Sequence, residues 1–304
     1  MSIARRLLFT VGCCLGAALL GAAQTAAPAA TVSVTPHYAP NATYTYDLQI
    51  DSHILRSGAG AKSNQPAELS NTSRVLMHVL PVAPAGGTVI ELRFLQYHTS
   101  VRADAAMQQT LQEQMTEGDD AAANMAPVRI QLQPDGSTKV IERPQGAVFD
   151  QPVSVLEQFA RTDMLPVGPV AVGAHWQRTR LQDLPTMHFS LPLQMQCTLT
   201  GSHQQHGQVV AGIAVQMQGS SKLPPDGIPN AKQLAAAGYA ASGSIAITGS
   251  SNNQYREADG ILLASSSQNH NVLKIELVGP DPIPQDIVTT IDSTGTVKLV
   301  SEKP

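Results

Sequence analysis

Apolar and polar residues alternate over several long stretches of this chain. From 187 to 199 every second residue is apolar, and the residues between them are polar apart from Pro192. A two-residue period places one set of side chains on each face of a β-strand. Apolar residues recur in the same way from 209 to 217, after a polar turn at 202–207. The two stretches predict an antiparallel hairpin. Pro192, which has no amide hydrogen, indicates an edge strand or a bulge.

The same alternation predicts further strands along most of the chain. They fall at 44–50, 73–82, 89–94, 128–133, 244–256, 261–278, 285–291 and 296–300. Glycine-containing turns are expected at 85–87, 134–136, 258–260 and 293–295. The composition of 56–71, 117–126, 220–230 and 279–284 predicts loops.

Helical periodicity is confined to a few segments. In 104–115, apolar side chains recur every fourth residue at Met107, Leu111 and Met115, and in 150–165 an apolar face follows a proline in the first turn. A third, short helix is expected at 230–238. Long strands without strand-helix alternation predict a mainly β (α+β) fold. We expect a long antiparallel curved sheet or half-barrel in two similar halves, with two or three covering helices.

The first residues have the pattern of a secretory signal peptide. Arg5 and Arg6 precede an uncharged apolar run at 7–20, and small residues follow. We expect residues 1–23 to be removed, with residue 30 as the latest cleavage position, which makes the protein periplasmic or extracellular. The alternative is a lipoprotein anchor on Cys13. No second apolar run is long enough to span a membrane, so no transmembrane helix is expected in the mature chain.

The remaining chain divides into a flexible segment at 24–41 and a single β-rich domain at 42–304. Each half of this domain, about 42–165 and 166–304, runs through strands and a helix, which suggests an internal duplication. The net charge of -4 without a basic cluster argues against nucleic acid as a partner. Cys197 would be the only cysteine after signal removal, so no intramolecular disulfide is expected.

A motif lies at the join between the halves. It reads V-x-V-G-x-x-W at 170–176 and follows Leu-Pro at 165–166. This phrase resembles one found in an exported bacterial protein family of unknown function, although Ala174 stands where that family has an acidic residue. The resemblance implies an exported protein and a two-half fold, and it implies no activity. Gly173 and Trp176 themselves predict a tight corner capped by a large apolar side chain.

The sequence contains no recognisable catalytic chemistry. It has no G-x-S-x-G, H-E-x-x-H or C-x-x-C motif, and the pair His203 and His206 is best explained as part of a solvated turn. We therefore predict no catalytic residue, no cofactor and no metal site. Cys197 lies on the apolar side of its strand and is expected to be buried.

The predicted architecture is similar to that of periplasmic lipoprotein carriers, in which helices close an apolar cavity. In that case the apolar stripes would form the wall and lid of the cavity; otherwise they form an ordinary core. The candidate cavity residues are Met107, Leu111, Met115, Leu156, Phe159, Phe189, Leu191, Leu193, Met195, Ile213, Val215 and Met217. Three functions stay open: a non-enzymatic protein that binds a lipid or another apolar molecule, a module that interacts with envelope proteins, and a hydrolase.

Overall fold

The computed structural model describes residues 31–58, 65–81, 87–133, 137–184, 187, 189–228, 230–279 and 285–303. The predicted signal segment with Cys13, residues 24–30 and the predicted turn at 134–136 lie outside these ranges. Within the described ranges, no helix is both long enough and apolar enough to cross a membrane.

The described elements follow the chain as long strands with few helices. Up to residue 165 they are β1 (Thr31–Val32), β2 (Thr43–Gly58), β3 (Gln65–Val79), β4 (Thr88–Arg102), α1 (Ala105–Ala123), β5 (Val128–Leu132), β6 (Thr138–Glu142) and α2 (Asp150–Phe159). They continue with β7 (Val170–Ala171), β8 (His175–Leu184), β9 (Phe189–Gln205), β10 (Gln208–Lys222), α3 (Ala231–Ala236), β11 (Ala240–Arg256), β12 (Leu262–Val278) and β13 (Gln285–Lys303).

Eleven of these strands form one antiparallel sheet. Its order is β6-β5-β4-β3-β2-β13-β12-β11-β10-β9-β8, and β1 pairs separately with β7. Each half of the chain is a meander, and the two meanders are joined where β2 pairs with β13. The sheet is curved and does not close, and three helices accompany it. The predicted mainly β fold with a long antiparallel curved sheet is therefore confirmed, whereas the duplication stays a prediction.

Three hydrophobic clusters cover one face of the sheet. We call them the first, second and third core clusters and define them by Tyr46, Leu92 and Leu156, by Leu165, Leu199 and Ile213, and by Leu191, Ile228 and Ile247. Helix α2 supplies Leu156 to the first cluster, where the ring of Phe159 meets Tyr46 edge to face at 4.7 Å. Fully burying a side chain such as Leu156 contributes roughly 2 kcal/mol, so these clusters hold the helices and connections to the sheet.

Helix α1 is longer than the sequence predicts. The expected loop at 117–126 was wrong over most of its length, because α1 continues to Ala123. The Asp119 carboxylate accepts a hydrogen bond from the Thr99 amide at 3.0 Å and lies 3.0 Å from His98 Nδ1. Both residues belong to β4, so a tertiary contact holds a segment whose composition favours a loop.

The last strand is continuous where a turn was expected at 293–295. Ser293 pairs with Ser52 of β2 on one side and with Asn269 of β12 on the other. The predicted pair of strands, 285–291 and 296–300, is therefore one strand, β13. Because backbone hydrogen bonds are available from both neighbours, the ladder overrides the turn preference of Ser-Thr-Gly.

Two other expectations at strand ends also need correction. The predicted loop at 56–71 is strand at 56–58 and from Gln65 onward, and only 59–64 falls outside the described residues. The strand with Pro192, β9, is not an edge strand, because it lies between β8 and β10. Its ladder with β10 nevertheless begins at the Gln194–Gln218 pair, two residues after Pro192, so the missing amide hydrogen interrupts no pairing with β10.

The predicted corner at 170–176 is confirmed. Gly173 has a φ of 84°, a conformation that favours glycine, and its amide donates to the Leu199 carbonyl at 2.8 Å. Trp176 packs against the second core cluster, and its Nε1 donates to the Met164 carbonyl at 3.0 Å. The corner therefore fixes the start of β8 against β9.

Candidate functional site

Most of the apolar residues predicted to form a cavity wall and lid are divided among the three core clusters. The first cluster contains Leu156 and Phe159; the second contains Met195, Ile213 and Val215; the third contains Phe189, Leu191 and Leu193; and Met217 packs against the second and third. Leu111 and Met115 are partly buried on α1, and the side chain of Met107 lies outside the described part of the chain. Their role in binding an apolar ligand stays a prediction.

A groove of about 1420 Å³ crosses nine neighbouring strands, from β4 to β8. Eight of these strands border it with three consecutive residues, such as 194–196 on β9. Since successive side chains point to opposite faces, the outer two of each triplet share one face. These outer residues are exposed, apart from the half-buried Asp51 and Ser70, and the middle ones are buried or half-buried. The groove therefore lies on the polar face, opposite the core clusters.

Two unbroken rows of polar side chains border this polar groove. The first row follows the strand pairing from β8 to β4 through Gln177, Gln196, Gln216, Ser250, Gln268, Thr294, Asp51, Ser70 and Ser100. The second row runs from β9 to β4 through Gln194, Gln218, Thr248, His270, Asp292, His53, Glu68 and Arg102, and Thr179 of β8 continues its line beyond the groove. Directly paired residues of antiparallel strands lie side by side on one face, so each row is a continuous line.

The groove is long and narrow. Neighbouring strands lie about 4.8 Å apart, which gives nine strands a width of roughly 40 Å. The two rows are separated by two residues along each strand, or roughly 6.8 Å. These dimensions suit one extended chain rather than a compact ligand.

The two ends of the groove differ in charge. The half on β8–β11 presents only amide and hydroxyl groups, and the amides of Gln196, Gln216 and Gln218 have no hydrogen-bond partner among the described residues. The other half, formed by β12, β13, β2, β3 and β4, contains titratable groups that make hydrogen bonds within the groove. His270 Nδ1 lies 2.6 Å from Asp292 Oδ1, and the Ser70 hydroxyl donates to Asp51 at 2.6 Å.

The far side of the groove is closed by packed side chains. Met195 and Met217 are middle residues of their triplets, so their side chains point away from the polar rows. The Arg180 guanidinium lies 3.7 Å from the Met217 sulfur, and burial lowers the pKa of Arg180, an effect that the nearby Asp163 carboxylate partly offsets. These two methionines therefore belong to the core behind the groove.

Other candidates from the sequence do not gather into a site. His203 is exposed near the end of β9 and His206 is exposed in the β9–β10 turn, and within the described ranges no group of three metal-ligating side chains occurs. Cys197 is fully buried in the second core cluster, and this burial raises the pKa of its thiol to about 11. A buried, protonated thiol is a poor nucleophile.

Sequence reasoning missed the polar groove. The signal was present strand by strand, because Gln194, Gln196, Gln216 and Gln218 all occupy the polar positions of alternating stretches. The apolar positions of the same stretches predict the core. Only strand order and register show that the polar positions line up across nine strands.

Comparisons with known proteins yield distant structural likenesses. No family model and no curated protein matches the chain. A structure concerned with lipid–protein interactions in lipovitellin is 11% identical over 88% of this chain and 26% of that chain, with a TM-score of 0.44. The chain thus spans about a quarter of that lipovitellin chain.

Two bacterial structures are more distant. The COG4313 outer membrane channel from Pseudomonas putida F1 is 8% identical over 87% of this chain and 97% of its own, with a TM-score of 0.25. A DUF1329 family protein from Desulfovibrio piger is 8% identical over 81% of this chain and 83% of its own, with a TM-score of 0.13. None of these likenesses is close enough to carry a functional conclusion, which has to come from the chain's own residues.

Proposed function

We propose that this chain is an exported, non-enzymatic binding protein of the cell envelope and that it holds an extended polar ligand in the polar groove. The observation that carries the proposal is the pair of polar rows, which stay in register across nine strands. Export is supported by the signal-like pattern of residues 1–23.

The chemistry of the rows supports binding rather than catalysis. Amide and hydroxyl side chains both donate and accept hydrogen bonds, so they can recognise a polar ligand along its whole length. A binding role also agrees with the packing on the opposite face, where Leu191, Leu193 and Leu199 are almost fully buried and fix the strands rigidly.

The test is to recover the ligand with the protein. We would purify the full chain gently from the envelope fraction of the cells that make it, measure its native mass, and analyse aqueous and organic extracts. We expect a polar ligand, and we expect Ser250→Trp to abolish its retention because Ser250 lies in the first row at mid-groove.

Ser244→Trp is the matched control. Ser244 is exposed on the same strand and the same face but does not border the groove, so the ligand should be retained. A polar ligand that survives Ser250→Trp would overturn the proposal, as would a wild-type protein without ligand.

The same experiment reads out the alternative of an apolar ligand. The candidate residues for that role, including Leu156, Leu193 and Ile213, lie in the clusters on the opposite face. An apolar molecule in the organic extract that is retained by Ser250→Trp would move the binding site to that face. A protein partner in place of a small ligand would favour an interaction module.

A further inference from the structure

The polar groove repeats itself once per strand, and this repeat identifies a class of ligand. We infer that the occupant is a neutral glycan chain that lies across the strands. The inference rests on the proposed function and goes beyond it, because it names the chemistry of the ligand.

The groove and a neutral glycan are chemically complementary. Each sugar hydroxyl both donates and accepts a hydrogen bond, and a glutamine amide offers one group of each kind on the same side chain. Gln196, Gln216, Gln218 and Gln268 have amides without a hydrogen-bond partner among the described residues, and all four border the groove. Such amides can bond to a ligand without first breaking a bond within the protein.

The spacing of the polar side chains along each row is similar to the spacing of sugar rings in a glycan. Each strand contributes one polar side chain to each row, at intervals of about 4.8 Å. A pyranose ring in an extended glycan advances by a similar length, so every ring can meet one residue of each row, as with the pair Gln216 and Gln218 on β10. An extended peptide advances roughly 3.4 Å per residue, which does not match this spacing.

The charges in the groove favour a neutral ligand. The rows contain three carboxylates, Asp51, Glu68 and Asp292, and one guanidinium, Arg102, which is 3.6 Å from Glu68. An anionic polymer would meet net repulsion from this half of the groove. The β8–β11 half carries no formal charge, so a neutral glycan is favoured over an acidic one.

The two rows contain no phenylalanine, tyrosine or tryptophan, so stacking of such rings on sugars makes no contribution from these residues. Affinity must then come from hydrogen bonds summed over several rings. We therefore expect binding to strengthen with chain length, from a disaccharide to a hexasaccharide.

The experiment uses calorimetric titration of the full-length protein with cellohexaose, maltohexaose and chitohexaose. We expect at least one hexasaccharide to bind and its disaccharide to bind more weakly. The double variant Gln196→Met/Gln216→Met keeps side-chain length but removes two amides of the first row, and it should weaken binding by about tenfold. The control Gln204→Met/Gln205→Met, at exposed positions of β9 beyond the groove, should leave affinity unchanged.

Failure of all three hexasaccharides to bind would overturn the glycan inference, and so would binding that Gln196→Met/Gln216→Met leaves unaltered. The proposed function fails by a different route. A peptide recovered from the envelope and lost in Ser250→Trp would reject the glycan and keep the groove as a binding site. If Ser250→Trp retains every ligand that the wild-type protein carries, the groove is not the binding site.

Discussion

Arg256 makes more side-chain hydrogen bonds to carboxylates than any other basic residue in the described part of the chain. Its Nε lies 2.9 Å from both Asp259 carboxylate oxygens, and its two terminal nitrogens donate to the Glu302 carboxylate at 2.8 and 2.9 Å. Only 8% of the residue is exposed. Hydrogen bonds to the two carboxylates raise the pKa of Arg256, so it is charged at every relevant pH. The network ties the β11–β12 turn to the end of β13.

We expect Arg256→Ala to lower the free energy of unfolding by about 3 kcal/mol, because it leaves two partly buried carboxylates without their partner. The measurement is a urea unfolding curve, which gives the urea concentration at half-unfolding and the slope of the unfolding free energy against urea concentration. The matched control is Arg74→Ala, which breaks an ion pair with Asp47 whose side chains are 42% and 45% exposed. That change should cost below about 1 kcal/mol. Equal losses in both variants would contradict this account.

Cys197 provides a second residue-level prediction. Its thiol is fully buried and its pKa is raised to about 11, so at pH 8 nearly all of it is protonated, while the thiolate is the reactive form. We expect iodoacetamide to modify Cys197 about a hundredfold more slowly in the native protein than in urea at the same pH. The modified peptide can be quantified by mass spectrometry. Similar rates in the two conditions would show that the site opens readily.

At the scale of elements, the corner before β8 depends on one backbone conformation. Gly173 has a φ of 84°, and no atom lies within 4 Å of the position that a Cβ would occupy. A side chain there would thus meet conformational strain and no clash. The cost of alanine in the left-handed region is roughly 1–2 kcal/mol.

We therefore expect Gly173→Ala to lower the free energy of unfolding by about 1 kcal/mol. Gly201→Ala is the control, because Gly201 also has open space around its Cβ position but lies in β9 without a positive φ. It should be neutral or slightly stabilising. The comparison is made by thermal and urea unfolding, and an equal loss in both variants would contradict an origin in the left-handed conformation of Gly173.

The longest strand illustrates how elements depend on their neighbours. Isolated, the Ser-Thr-Gly segment at 293–295 favours a turn, and in the sheet it lies between β2 and β12. Helix α1 extends past its predicted end for a comparable reason, since Asp119 bonds to β4. Local preference decides the outcome only where no tertiary partner is available.

At the scale of the whole molecule, the C-terminal strand occupies the middle of the sheet. β13 pairs with β2 along 43–58 and with β12 along 264–277, so it joins the two meanders. Its removal would expose two long strand edges and separate the first core cluster from the third.

We expect a chain that ends at Gly279 to lose cooperative unfolding and to be degraded rapidly by proteases. Addition of a synthetic peptide with residues 285–303 should restore protection, because both ladders can form again. Circular dichroism during heating and limited proteolysis provide the readouts. A truncated chain that unfolds cooperatively would show that each meander folds independently.

Much of this architecture follows from the sequence alone, because its determinants are local. The alternation in 187–199 and 209–217 predicts β9 and β10, the glycines predict the hairpin turn at 258–260, and the corner at Gly173 and Trp176 follows from residue type. These features depend on periodicity and backbone preference over a few residues. The apolar stripes likewise indicated the packed face.

Only the tertiary structure decided what the polar positions do. Gln196 and Ser100 are 96 positions apart in sequence, yet strand order and register place them in one row of the groove. Periodicity specifies which face a side chain occupies and leaves open which strand lies beside it. Strand pairing is set by long-range hydrogen bonds and by core packing, so the groove could not be derived before the sheet was assembled.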